Sequence, residues 1–173
     1  MPDLMTRPHR PSGLRFLWLT LLLVVCDQLA KQWVAGSFEL YESREVFSGW
    51  FNFTYVHNYG AAFSFLSDHG GWQRWLFTAI AIIVSVVLVI WLARNPVGLW
   101  RQNTAFSLIL AGAAGNVVDR LIHGYVIDFL DVYYQNWHWP AFNIADMAIT
   151  IGAALMLLEA FVDQRRAKEE AES

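Results

Sequence analysis

The sequence predicts an all-α membrane protein: four transmembrane helices with a small extracytoplasmic β-rich surface segment. Three observations carry that prediction. Hydrophobic residues make up 56% of the 173 and charged residues only 16%, against roughly 45–50% and about 25% in a soluble domain. The mean hydropathy is +0.34, more apolar surface than a soluble domain of this size buries. Four separate windows then approach the ~20 apolar residues that a bilayer core of about 30 Å demands. The formal net charge of −3 and the single cysteine exclude a polycation for nucleic-acid phosphates and an intramolecular disulfide framework.

The whole chain, residues 1–173, reads as a single membrane domain with spans at about 16–33, 75–93, 104–122 and 142–161 and outer loops at 36–74 and 123–141. The first span follows Arg7, Arg10 and Arg15. Its Cys26 is preceded by Val25, where a lipoprotein-type cleavage site needs a small residue, so the segment is expected to stay as a span with Cys26 buried as a small apolar residue. The first outer loop alternates over Trp50-Phe51-Asn52-Phe53-Thr54-Tyr55-Val56-His57, a strand pattern. The second span is uncharged and closes on Arg94 and Arg101; the third contains the small-residue run Ala111-Gly112-Ala113-Ala114-Gly115, which admits a close helix neighbour. The second outer loop holds the β-prone Tyr125-Val126-Ile127, with Asp128 assigned to the loop itself, and the two outer segments are expected to form a small sheet on the membrane surface. After the fourth span come Arg165, Arg166 and Lys168, in a tail expected to fray.

Basic residues orient the chain. Eight of those flanking the spans lie at the termini and the Arg94–Arg101 loop, and two, Arg44 and Arg74, lie in the outer loops. Both termini are therefore expected in the cytoplasm. Tryptophans near the span ends (Trp18, Trp33, Trp72, Trp75, Trp91, Trp100, Trp137, Trp139) fit interfacial anchors.

Within that topology the ionisable residues inside the spans stand out, because each costs at least about 2.5–3.5 kcal/mol to insert. Asp27 lies eleven residues past Phe16, roughly 16 Å along the helix, and Lys31 follows at i,i+4. Asn116, Asp119 and Arg120 share one helix face, and Asn143 and Asp146 open the fourth span. All of them, with Asp128, fall near one level at the outer leaflet. Asp27 with Lys31 and Asp119 with Arg120 read as ion pairs, leaving Asp128 and Asp146 without cations of their own. Two carboxylates facing one pocket favour sharing a proton, and an acid beside a base is the machinery of aspartic hydrolysis. The same groups suit proton or cation transport, and spacing alone leaves both open. The histidines lack a paired helical spacing, so no metal site is expected, and no phosphate-cradling glycine loop is present.

Five motifs nevertheless resemble one family in its own order: Asp27-Gln28-x-x-Lys31; Asn58-Tyr59-Gly60-Ala61-Ala62-Phe63-Ser64; Gly112-x-x-Gly115-Asn116-x-x-Asp119-Arg120; Val126-Ile127-Asp128-Phe129; and Phe142-Asn143-Ile144-Ala145-Asp146. The chain resembles the lipoprotein signal peptidases (signal peptidase II), bacterial inner-membrane aspartic proteases. The resemblance implies that Asp128 and Asp146 form the catalytic dyad. It implies substrate-binding or site-shaping roles for Asn58, Asn116, Arg120 and Asn143, supporting roles for Asp27, Lys31 and Asp119, and close-approach positions at Gly60 and Gly112. It further implies a substrate already carrying diacylglycerol on its cysteine and cut just before it. Partners would be lipid-modified prolipoprotein signal peptides and membrane lipid, with no cofactor, no metal and no nucleic acid, and a monomer is expected. The aromatic outer segment would correspond to the family's surface β-cradle and periplasmic helix. Tyr59 departs from the family's usual threonine.

Overall fold

The computed structural model describes residues 11–60 and 71–172. A short 3-10 helix, Gly13–Phe16, leads into α1 (Leu17–Ser37); β1 (Ser43–Phe47) and β2 (Phe51–Asn58) follow, then α2 (Trp72–Arg94) and α3 (Trp100–Ile122). The chain continues through β3 (Val126–Tyr134), β4 (Trp137–His138) and α4 (Ile144–Glu172). Each α-helix is long and apolar enough to cross a membrane. The 23 residues of α2 reach about 35 Å at 1.5 Å per residue. The fourth helix continues through the charged tail to Glu172.

The helix α3 is the centre of the bundle. Buried residues make up 61% of its apolar window, against 11–17% in the other three. Small residues make this arrangement: a Cβ on Gly112 would strike the Ala145 carbonyl oxygen and lie 2.5 Å from Ile149 Cγ1, and one on Gly152 would lie 2.8 Å from the Ala105 carbonyl oxygen. So α3 and α4 cross nearly backbone to backbone, as small-residue helix pairs do in lipid. Leu88, Leu92, Phe106 and Leu110 fill the gap between α2 and α3. The outward faces remain apolar, with Leu21, Ile83 and Phe161 each about two-thirds exposed, a surface suited to lipid. Cys26 is exposed on that face rather than buried. One helical position turns the chain by about 100°, so beside the buried Asp27 its neighbour points outward.

The two outer segments form one antiparallel four-stranded sheet in the order β1-β2-β3-β4. Asp128, expected from the sequence in a loop, sits inside β3 opposite Val56. The aromatic alternation sets β2 one residue later than its first tryptophan, because Trp50 belongs to the turn after β1. Phe129 of β3 packs with Val34 and Phe38 and so seats the sheet on the end of α1. Gly124, at φ +88°, makes the turn that leads α3 into β3, a conformation that suits glycine. At the far side of β3, the Phe129 and Leu130 N–H groups donate to the Phe142 carbonyl at 3.0 and 2.8 Å, and the Phe142 N–H returns to the Leu130 carbonyl at 3.0 Å. These bonds lay the start of α4 against the strand that carries Asp128. The second motif's Ala61–Ser64 lies outside the described residues, and among the described residues of the outer segment past the end of α1, 38–60, there is no helix.

Candidate active site

The site forms where three elements meet: β3 brings Asp128, α3 brings Asn116 and α4 brings Asp146. Asn143 precedes α4 and caps it, its Oδ1 accepting the Asp146 N–H at 2.8 Å. Asparagine suits that position because the first helical N–H groups have no partner within the helix. With its oxygen occupied, the same side chain turns its nitrogen to Asp128 Oδ1 at 2.7 Å. Asn58, the last residue of β2, donates to Asp128 Oδ2 at 2.9 Å, while its own oxygen accepts the Gly60 N–H at 3.0 Å in a tight turn. Asn116 donates to Asp146 Oδ1 at 2.8 Å and accepts from Asn143 Nδ2 at 3.4 Å. Three asparagines therefore aim amide nitrogens at two carboxylates and join them in one chain of hydrogen bonds.

The two acids differ in surroundings. Asp128 is 2% exposed, and burial first, then the nearby Asp146 charge, push its carboxyl up to about 7 despite the two asparagine donors. Asp146 is half-buried and lines a cavity of about 680 Å³ between α2, α3 and α4. Asn58, Asn116 and Arg120 form the polar end of that cavity with Asp146, and Phe77, Ile80, Val84 and Met147 belong to its apolar wall. Charged heads at one end of a greasy cleft fit a substrate that is part peptide and part apolar.

Next to the two acids, joined to them through Asn116, lies an ion cluster. Lys31 Nζ is 2.8 Å from Asp27 Oδ2 and 2.9 Å from Asp119 Oδ2, all three side chains being 1% exposed. The expected pair of Asp27 with Lys31 is present. The expected pair of Asp119 with Arg120 is not: Asp119 turns to Lys31 and to the Ile127 N–H at 3.0 Å. Arg120, the next residue on the helix, leaves from a different face and donates to the Gly60 carbonyl at 3.1 Å. Gly112 lies at the α3–α4 crossing, where the backbones approach closely. Sequence reasoning misses one member: Gln28 donates to Asp119 Oδ1 at 2.8 Å and to the Gly115 carbonyl at 3.2 Å. Its place in the first motif, one residue after Asp27, is the signal that could have found it. Among the described residues no group of three or more His, Cys, Asp and Glu is placed to hold a metal ion.

A family model described as signal peptidase (SPase) II matches residues 19–162. The lipoprotein signal peptidase of Shewanella halifaxensis is 60% identical over 88% of this chain and 89% of its own. That of Alteromonas mediterranea is 56% identical over 96% of this chain and 91% of its own. Among solved structures, a bacterial membrane enzyme determined in meso at 2.3 Å resolution is similar with a TM-score of 0.79 and 31% identity, covering 91% of this chain and 94% of that one. A second, at 1.9 Å resolution, gives a TM-score of 0.73 at 32% identity over 89% of this chain and 97% of the other. By the match of motifs, sequence and fold, the chain belongs to the signal peptidase II family.

Proposed function

We propose that Asp128 and Asp146 are the catalytic pair with which this aspartic endopeptidase of the signal peptidase II family removes signal peptides from prolipoproteins. The observation that carries the assignment is the hydrogen-bonded bridge through Asn143, which touches Asp128 with its nitrogen and the Asp146 backbone with its oxygen. Asp146, facing the cavity, takes a proton from water, and the resulting hydroxide adds to the scissile carbonyl carbon. Asp128, the more buried acid, its affinity for a proton raised to about 7, gives its proton to the carbonyl oxygen. The tetrahedral diol then collapses: Asp128 takes back the hydroxyl proton, the C–N bond breaks and Asp146 gives the proton it took from water to the departing nitrogen, which restores the pair. Neither step calls on a metal.

The substrate is diacylglyceryl-modified and is cut just before the lipidated cysteine. The cavity's polar end beside its apolar wall supports this, because acyl chains can stay among apolar side chains while the peptide bond meets the acids. Arg120 and Asn58 hold the peptide or the lipid's polar group at that end. The protein acts in the bacterial cytoplasmic membrane as a monomer, with both termini cytoplasmic and the site near the outer leaflet. Eight of the span-flanking basic residues favour that orientation. In support, the Gly13 N–H donates to the Asn95 carbonyl at 2.8 Å, so the residues before α1 share one end of the bundle with the α2–α3 turn. Arg101 reaches Glu159 of α4 at 3.6 Å nearer that same end. The transport reading needs mobile charges, whereas Asp27, Lys31 and Asp119 are paired with one another in a buried cluster.

The test is Asp128→Asn and Asp146→Asn, each purified folded in detergent and assayed on lipidated precursor. Each is expected to lose at least about 1,000-fold in kcat, within the range for positioned acid–base groups. Near-normal cleavage by either variant sinks the assignment.

A further inference from the structure

We infer that Lys31 is a positioning residue for the catalytic pair, holding the Asn116 side-chain amide in the one orientation that presents its nitrogen to Asp146. This rests on the dyad reading above and concerns a side chain that does not itself line the cavity.

The two ends of an asparagine amide have nearly the same shape, so its orientation is set by its partners. An ammonium group has three N–H donors and no acceptor. Lys31 Nζ meets three acceptors: Asp27 Oδ2 at 2.8 Å, Asp119 Oδ2 at 2.9 Å and Asn116 Oδ1 at 3.1 Å. The atom that Asn116 turns toward it must therefore be oxygen, and the nitrogen is left for Asp146 Oδ1 at 2.8 Å. A flipped amide would set an NH₂ group against the ammonium and an oxygen against a carboxylate, two repulsive contacts where water does not screen them.

The other two asparagines are held differently. Backbone N–H groups occupy their oxygens: that of Asp146 on Asn143, and that of Gly60 on Asn58. The oxygen of Asn116 accepts from side chains, Lys31 at 3.1 Å and Asn143 at 3.4 Å, and the lysine carries the charge that fixes its direction. The remaining arms of Lys31 reach the dyad through its neighbours. Asp27 Oδ1 accepts the N–H of Ala145, the residue before Asp146, at 2.9 Å. Asp119 Oδ2 accepts the N–H of Ile127, the residue before Asp128, at 3.0 Å. One ammonium on α1 thus sets α3, β3 and the first turn of α4 against one another.

Lys31→Met alone strands two buried carboxylates and is expected to unfold the protein. The informative variant is the charge-neutral triple Asp27→Asn/Lys31→Met/Asp119→Asn. It is compared with Asn116→Ala and with the four-site combination, measuring kcat and KM on lipidated precursor in detergent. The triple is expected to lose about 100-fold in kcat, the scale of a misplaced group, while KM stays within about twofold. Adding Asn116→Ala to it should cost less than about threefold more, because both changes remove the same interaction. A folded triple with kcat within about threefold of the parent, or an Asn116→Ala loss that multiplies in full upon it, overturns the inference.

Asn116→Asp provides an arm that does not depend on the triple folding. It keeps an oxygen for Lys31 and loses the donor to Asp146. Its second oxygen then faces the Asp146 carboxylate, so the unfolding temperature should drop while kcat of the folded variant falls about 100-fold; undiminished kcat overturns the inference. Asp128→Asn and Asp146→Asn, run alongside, separate the two ideas. If they are inactive while the triple or Asn116→Asp is fully active, the dyad stands and the role of Lys31 falls. If they cleave normally, the dyad itself falls.

Discussion

Asn143 holds Asp128 by its amide nitrogen at 2.7 Å while the same amide caps the helix that carries Asp146. Stability and catalysis are therefore separable at this residue. Asn143→Ser keeps a capping oxygen but is too short to reach Asp128; Asn143→Ala loses both contacts. The alanine variant is expected to be less stable than the serine variant by about 1 kcal/mol, the value of a helix cap. Both should lose cleavage to the same extent. Thermal unfolding in detergent beside kcat checks the split.

The raised proton affinity of Asp128 gives a signed pH dependence. A carboxyl at about 7 in the folded protein, against an ordinary value of 3.8, means that the folded state binds more protons between those two pH values. Stability is thus fullest below the lower value and falls as pH rises toward 7 and through it. Asp128→Asn removes the titrating group. Its unfolding temperature should gain on that of the parent as pH is raised from 4 to 8, by an amount worth at most about 4 kcal/mol at 1.36 kcal/mol per pH unit. A pH-independent difference would refute this. On the proposed mechanism the parent's kcat should also decline above pH 7, as Asp128 loses the proton it gives to the carbonyl oxygen.

The crossing of α3 and α4 is equally open to test. Gly112→Ala puts a methyl group against the Ala145 carbonyl and Ile149, and overpacking of this kind costs about 1–3 kcal/mol. Gly36, on α1, has open space where a methyl group would go, so Gly36→Ala should stabilise by up to about 1 kcal/mol through helix propensity. Opposite shifts in unfolding temperature are expected.

Arg120 spans the cavity's polar end and ties down the Gly60 carbonyl. Arg120→Lys keeps the charge but loses the planar fork of donors. KM for lipidated precursor is expected to rise about tenfold, the value of one charge-assisted hydrogen bond. Initial rates across a substrate series would show a change in kcat alone if the arginine acted only on chemistry.

The four spans are readable in the sequence because span length and apolar composition are properties of single segments. Asp27 with Lys31 is readable for the same reason, being local to one helix face. What escapes is pairing between segments. Asp119 chooses Lys31 over the adjacent Arg120 because α1 packs on α3 with the lysine pointing inward, and no spacing within α3 encodes that. Asp128 reads as a loop residue because its strand is defined by partners in β2 and by Phe142, far off in the chain. Cys26 differs from its expected burial by one position of helical rotation: Asp27 faces the bundle and its neighbour faces out.

The three main-chain hydrogen bonds between Phe142 and the Phe129–Leu130 step have a consequence for how such an enzyme can change. They join the strand of Asp128 to the start of α4 through peptide groups, so this part of the ruler between the two acids is insensitive to side-chain identity. Residues of the cavity's apolar wall, such as Ile80 and Val84, can be exchanged to suit a different set of precursors without touching these bonds. Proline is the exception, since at position 129, 130 or 142 it would erase an N–H from the ruler itself.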